Sequence, residues 1–168
     1  VCKTNSMNLY AIFESIFLID VNFLIAEEKV SLIEIDQPRF SEKGIGQKSY
    51  EIKALKGLRS ENELRLIEVE GKFKTEDGIW IYMNADEGNY NQDKELVELW
   101  NDVSFYTESG DEISSDNAEY NMQKDTIVFE SNVIHESNRV AIKSDVVYLS
   151  NNFGKLTYIG NVRSEIIK

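Results

Sequence analysis

From residue 29 onward the chain alternates apolar and polar residues in short runs. Successive side chains of an extended strand point to opposite faces, so a period of two predicts strands with one buried face. Val30-x-Leu32, Ile33-x-Ile35, Tyr50-x-Ile52-x-Ala54, Leu64-x-Leu66, Ile67-x-Val69 and Val140-x-Ile142 all show it, and Ile79 to Ala85 makes a further strand. Gln37-Pro38-Arg39-Phe40 interrupts the first series, because proline has no N–H to give to a ladder. Lys43-Gly44-Ile45-Gly46, Thr107-Glu108-Ser109-Gly110-Asp111 and the polar segment His135 to Arg139 are turns, and Thr75-Glu76-Asp77-Gly78 has the composition of a hairpin turn. Strands and turns in this order predict an all-β meander.

Part of the pattern is used three times without a gap. Ala85-Asp86-Glu87-Gly88-Asn89-Tyr90 returns as Ser115-Asp116-Asn117-Ala118-Glu119-Tyr120 and again as Ser144-Asp145-Val146-Val147-Tyr148-Leu149, at offsets of 30 and 29. Each copy leads through a polar turn into a run ending in valine: Val97-x-Leu99-x-x-Asp102-Val103, Ile127-x-Phe129-x-x-Asn132-Val133 and Leu156-x-Tyr158-x-x-Asn161-Val162. Self-similarity at this period marks stacked supersecondary units, none of which can bury its apolar face alone.

The parity of the apolar positions changes once in every copy. Ile81, Met83 and Ala85 are odd, whereas Gly88 and Tyr90 are even; Ile113 and Ser115 give way to Ala118 and Tyr120, and Ile142 and Ser144 to Val147 and Leu149. Such a switch predicts an extra residue at that point, as in a β-bulge or corner. Asp86, Asp116 and Asp145 sit there. Aspartate bonds readily to nearby backbone and tolerates unusual dihedrals, so these residues are expected to shape the corner rather than to catalyse. Strands bent in register place two sheets face to face across an apolar interior.

Residues 1–28 stand apart from the β region of 29–168. Leu9 to Ala26 approaches the length of a membrane span. Glu14, Asp20 and Asn22 weaken it as an anchor, since an acidic residue at mid-bilayer costs roughly 2.5–3.5 kcal/mol on insertion scales. Three readings stay open: a degenerate membrane anchor, a helix or strand packed on the β domain, and a poorly ordered terminus.

Composition narrows function mainly by exclusion. The chain of 168 residues carries 30 Asp and Glu against 18 Lys and Arg, a net charge of −12. That balance excludes nucleic acid as the expected partner, because binding it requires a basic face. Cys2 is the single cysteine and His135 the single histidine, so no thiol metal cluster and no Ser-His-Asp set is expected. No phosphate-cradling glycine loop or His-Glu-x-x-His occurs. The expectation is a protein that is not an enzyme, with no cofactor and no metal, with His135 on the surface and Trp80 and Trp100 packing in strands.

The order of the motifs resembles the LptC family of lipopolysaccharide export proteins, within the OstA-like superfamily. Ile35-Asp36-Gln37-Pro38-Arg39-Phe40, Gly46 and Tyr50-Glu51-Ile52-Lys53-Ala54 are similar to the family's opening. Ala85-Asp86-x-Gly88-x-Tyr90 with Leu99-Trp100-Asn101-Asp102-Val103 follows, then Gly110-x-x-Ile113-x-Ser115-Asp116-x-Ala118-x-Tyr120, and last Leu156-x-Tyr158-x-Gly160-Asn161-Val162-Arg163. Together these cover about residues 30–166.

The resemblance implies an antiparallel β-jellyroll, a V-shaped trough of two bent sheets. It implies a periplasmic protein tethered to the inner membrane through its N-terminal segment. Its task would be to accept lipopolysaccharide from an inner-membrane ABC transporter and pass it to a periplasmic bridge protein. Acyl chains need a continuous apolar lining, for which Ile52, Leu66, Ile81, Met83, Tyr90, Leu99, Phe105, Tyr120, Phe129, Ile142, Leu149 and Tyr158 are the candidates. The same residues could instead fill a closed core. The first strand, near Val30 to Ile35, would face the transporter. The last, Lys155 to Ser164, would dock the bridge protein by strand addition, through Leu156, Tyr158, Gly160 and Val162. Two other readings remain: the soluble bridge protein of the same superfamily, and a structural β-repeat protein with no lipid ligand.

Overall fold

The structure is a computed structural model and describes residues 32–43, 49–75, 77–150 and 154–167. The chain divides into two compact units, Val1–Val30 and Ser31–Lys168, and every described residue belongs to the second. The expected anchor at Leu9 to Ala26 therefore lies outside the described residues, among which no helix is long and apolar enough to cross a membrane.

Eleven strands follow one another: β1 (Ile33–Asp36), β2 (Arg39–Lys43), β3 (Ser49–Arg59), β4 (Glu63–Lys74), β5 (Trp80–Asn91), β6 (Leu96–Thr107), β7 (Glu112–Asn121), β8 (Thr126–Glu136), β9 (Val140–Ser150), β10 (Lys155–Ile159) and β11 (Arg163–Ile166). All pairings are antiparallel, and from β3 to β10 each strand pairs with its sequence neighbour. β1 and β2 share β3 as their partner, and β10 and β11 share β9. The connections are short because the meander only has to reverse direction. Two of them repeat the same device: the Asn91 side chain accepts from the Lys94 N–H, and the Asn121 side chain from the Lys124 N–H.

Each long strand turns a corner near its middle, and the corner gives the sheet its two layers. Between β5 and β6 the register shifts across Asn84 and Glu87, and between β6 and β7 across Trp100 and Val103. β8 shifts in the same way against both of its neighbours. In every case β6 or β8 contributes one residue more than the strand it faces. The extra residue therefore belongs to these strands and not, as the parity switch suggested, to those bearing Asp86, Asp116 and Asp145. The reason is conformational. Asn101 and Asp102 have φ of 62° and 52°, and Ser131 and Asn132 have 66° and 55°. Asparagine and aspartate enter this left-handed region with least strain. The parity switch is the shadow this bulge casts on the facing strand, where three steps match four.

The aspartates brace the corner from the opposite strand. Asn132 Nδ2 donates to Asp116 Oδ2 at 2.6 Å, and Asn161 Nδ2 donates to Asp145 Oδ2 at 2.9 Å. Beside them the buried hydroxyls of Ser115 and Ser144 donate to the carbonyls of Asn117 and Val146. A buried hydroxyl without a partner would be costly, and a bond two residues along the same strand supplies one. At the third corner the chain breaks outright at Gly160 and Asn161, with φ of 73° and 31°. The expected single strand Lys155 to Ser164 is thus two strands, β10 and β11, lying on the two sides of one bend.

Strand halves on either side of the corners form two layers that meet through apolar side chains. One layer holds β2, β11, the first halves of β3, β5, β7 and β9, and the second halves of β4, β6 and β8. The other holds β1, β10 and the remaining halves. Val69, Met83, Leu99, Val103, Ile127, Phe129, Val133 and Val147 are almost wholly withdrawn from solvent between them. Fully burying a side chain of this size is worth roughly 1.5–3 kcal/mol, which makes the inter-layer contact the main source of stability.

Candidate functional site

Eleven of the twelve candidate lining residues lie in or against the apolar cluster between the layers. Ile52, Leu66, Ile81, Met83, Leu99, Phe105, Tyr120, Phe129 and Leu149 are buried there. Tyr90 and Tyr158 are half-buried against the same cluster, and Ile142 is half-buried where β9 lies beside β8 and β11. Alternation within each half-strand puts them on one side, and the corner keeps them there after the parity switch.

Rings from the two layers touch along the whole interior. Phe40 of β2 meets Tyr90 of β5 with centroids 5.5 Å apart. Phe73 of β4 stacks on Tyr120 of β7 at 5.5 Å. Phe105 of β6 meets Phe129 of β8 edge to face at 5.0 Å. His135 of β8 stacks with Tyr158 of β10 at 6.0 Å, and its Nδ1 shares a hydrogen bond with the Tyr158 hydroxyl. The layers are therefore in contact, and a guest chain enters only by taking the place of these side chains.

Burial governs the titration of three of these groups. The Tyr120 hydroxyl is pushed up to about 12 by its burial, with a smaller contribution from Tyr50. It stays neutral and adds no charge to the lining. Burial pushes the His135 imidazole below its ordinary range, with Asp111 opposing, and raises the Tyr158 phenol, aided by Asp111.

Sequence reasoning placed His135 in a surface turn. It is instead the tenth residue of β8, half-buried and bonded across the interior. Phe73 is a further buried ring outside the twelve candidates, although Val69-x-Gly71-x-Phe73 alternates as cleanly as the other strand runs. Its glycine has a packing reason: a Cβ on Gly71 would run into the side chain of Met83.

Both ends of the sheet present strands with one paired neighbour. At the C-terminal end Leu156 and Tyr158 lie half-buried on β10, while Gly160 and Val162 lie exposed in the break before β11. Ile159 and Val162 are each about half exposed there, at 50% and 51%. At the N-terminal end Leu32 and Ile33 are exposed next to β1 and within it. Among the described residues no group of three or more His, Cys, Asp or Glu is placed to hold a metal ion.

Bent antiparallel strands around a continuous apolar interior, with a free strand at each end, define an OstA-like β-jellyroll. The profile of the LptC-related family of lipopolysaccharide-assembly proteins matches residues 25–166, and the chain belongs to that family. A search of curated proteins gave no match. Family membership gives the chain a role in lipopolysaccharide transport, as a transport and binding component.

Proposed function

We propose that the domain holds the acyl chains of lipopolysaccharide between its two layers, accepts the lipid from an inner-membrane ABC transporter and passes it to a periplasmic bridge protein. The observation that carries this reading is the unbroken apolar interior, running from Phe40 on an edge strand, through its partner ring Tyr90, to Tyr158 on the edge strand at the other end. A path for a lipid tail needs apolar surface without interruption. At roughly 25 cal/mol per Å² the lining competes with a membrane for the chains. It also needs ends where neighbouring proteins extend the path, and an unpaired strand is a template for that. In this reading β10 and β11 form the docking edge for the bridge protein and β1 faces the transporter. The protein works in the periplasm, tethered at the inner membrane through its N-terminal segment.

The filled interior also suits a β-repeat protein that binds no lipid, and one experiment separates the two. A photo-reactive residue is placed at Phe105 or Phe129, both inside, and at Glu108, in the turn between β6 and β7. Lipopolysaccharide is expected to label from the first two and not from the third. Equal labelling at all three positions, or none at any, removes the carrier reading.

A further inference from the structure

The ring contacts that join the layers differ in what parting them would expose. Phe105 and Phe129 are 3% and 0% exposed, so separating them brings aromatic surface into water. His135 and Tyr158 are both half-buried, and a hydrogen bond holds them in addition to the stacking of their rings. When such a pair separates, water already at its margin takes up both polar groups. Exchanging one hydrogen bond for another costs little, whereas leaving buried groups unpaired costs much.

The strand that carries Tyr158 lies at the edge of the sheet. β10 has five residues and pairs with β9 alone. Directly after it come Gly160 and Asn161, both at positive φ, which separate β10 from β11. β11 keeps its own pairing with the first half of β9, so β10 can swing while β11 stays in place. The half-buried Leu156 and Ile142 beside the pair show that the apolar filling thins at this end.

We propose that His135 and Tyr158 form a polar clasp that closes the C-terminal mouth of the interior and opens, by movement of β10, to let an acyl chain leave towards the docking edge. The proposal rests on the carrier reading above. It adds which end opens, which bond is broken and which strand moves. His135 and Tyr158 act as positioning residues, holding the two layers together when nothing is in transit.

The test uses the full chain with Cys2→Ser and nitroxide labels at Lys143→Cys and Thr157→Cys, both exposed, on the two sides of the mouth. Pulsed electron resonance is expected to give one narrow distance for the otherwise unaltered chain. A broadened, longer distribution is expected for Tyr158→Phe, which loses only the hydroxyl, and for His135→Phe. His135→Gln, which keeps a side chain able to bond the phenol, should restore the narrow one. In parallel, fluorescent lipopolysaccharide loaded into Tyr158→Phe should leave for acceptor vesicles about three- to ten-fold faster, the ratio that loss of one ordinary hydrogen bond produces. Tyr82→Phe, which removes a hydroxyl bonded to Glu108 on the outer face, should change neither reading. Loading and release with distances and rates the same as in the parent overturn the clasp and leave the carrier reading intact. Failure of the parent chain to bind the labelled lipid overturns the carrier reading, and the exit role with it.

Discussion

Gly160 and Asp102 show how much of the corner rests on single residues. Gly160 combines a φ of 73° with a position where a Cβ would overlap the Asp145 carboxylate. Gly160→Ala is therefore expected to destabilise the domain by roughly 1–3 kcal/mol, measured by urea unfolding, since strain of this kind has no nearby relief. Asp102 is the odd member of a series. At the equivalent places Asn132 and Asn161 donate to Asp116 and Asp145. Asp102 stands opposite Asp86 in the repeat and, as a carboxylate, has no proton to donate. Asp102→Asn supplies the missing donor and tolerates the φ of 52° at least as well. A gain of about 0.5–1.5 kcal/mol is expected from one added hydrogen bond. An unchanged or lowered melting temperature would show that the first corner is built differently from the other two.

At the scale of elements, the bulged strands β6 and β8 do the bending, and the strands between them follow. Phe129, on the straight part of β8, packs under Phe105 with no exposure. Phe129→Ala should cost about 3–5 kcal/mol, because the facing layer is held by other strands and collapses only in part into the space. The edge elements predict differently. Ile159 and Val162 lie half exposed where β10 ends, and lysine at a sheet edge discourages pairing with another chain. The double variant Ile159→Lys with Val162→Lys should keep its melting temperature within a few degrees, yet capture of the bridge protein should fall several-fold in a pull-down. Undiminished capture would move the docking edge elsewhere.

At the scale of the whole molecule, two sets of groups link folding to pH in separate windows. Burial lowers the folded-state pKa of His135 below the ordinary 6.5, so the unfolded chain binds the proton more readily. That contribution is complete above 6.5 and is lost as pH falls from there through the lowered value. Glu34, Glu51 and Glu87 are held below the usual carboxylate range by hydrogen bonds to Lys56, Lys72 and Arg65. Their contribution is present above 4.5 and is lost only below it. Urea midpoints are expected to fall in two steps on acidification, and His135→Gln should remove the upper step alone. Loss of the lower step instead would place the titrating group elsewhere.

The alternation from residue 29 onward, the three copies and the parity switch were enough to determine an all-β chain whose strands each bend once. They also determined which side chains face inward, because parity is a local property of an extended backbone. Eleven of the twelve inward candidates follow from it, and Ile142 lies outside the central cluster. Three things were decided only by the tertiary structure. The strand that takes the extra residue depends on left-handed dihedrals at Asn101, Asp102, Ser131 and Asn132, and a bulge on one strand changes the parity of its partner as well. The break of the last strand at Gly160 and Asn161 depends on β9 offering a separate edge to each half. The place of His135 depends on Tyr158, 23 residues away, which reaches it only once the layers have folded together. Periodicity records which face a residue takes, but not which residue from the other layer will meet it, because that pairing is fixed by the angle at which the whole sheet closes.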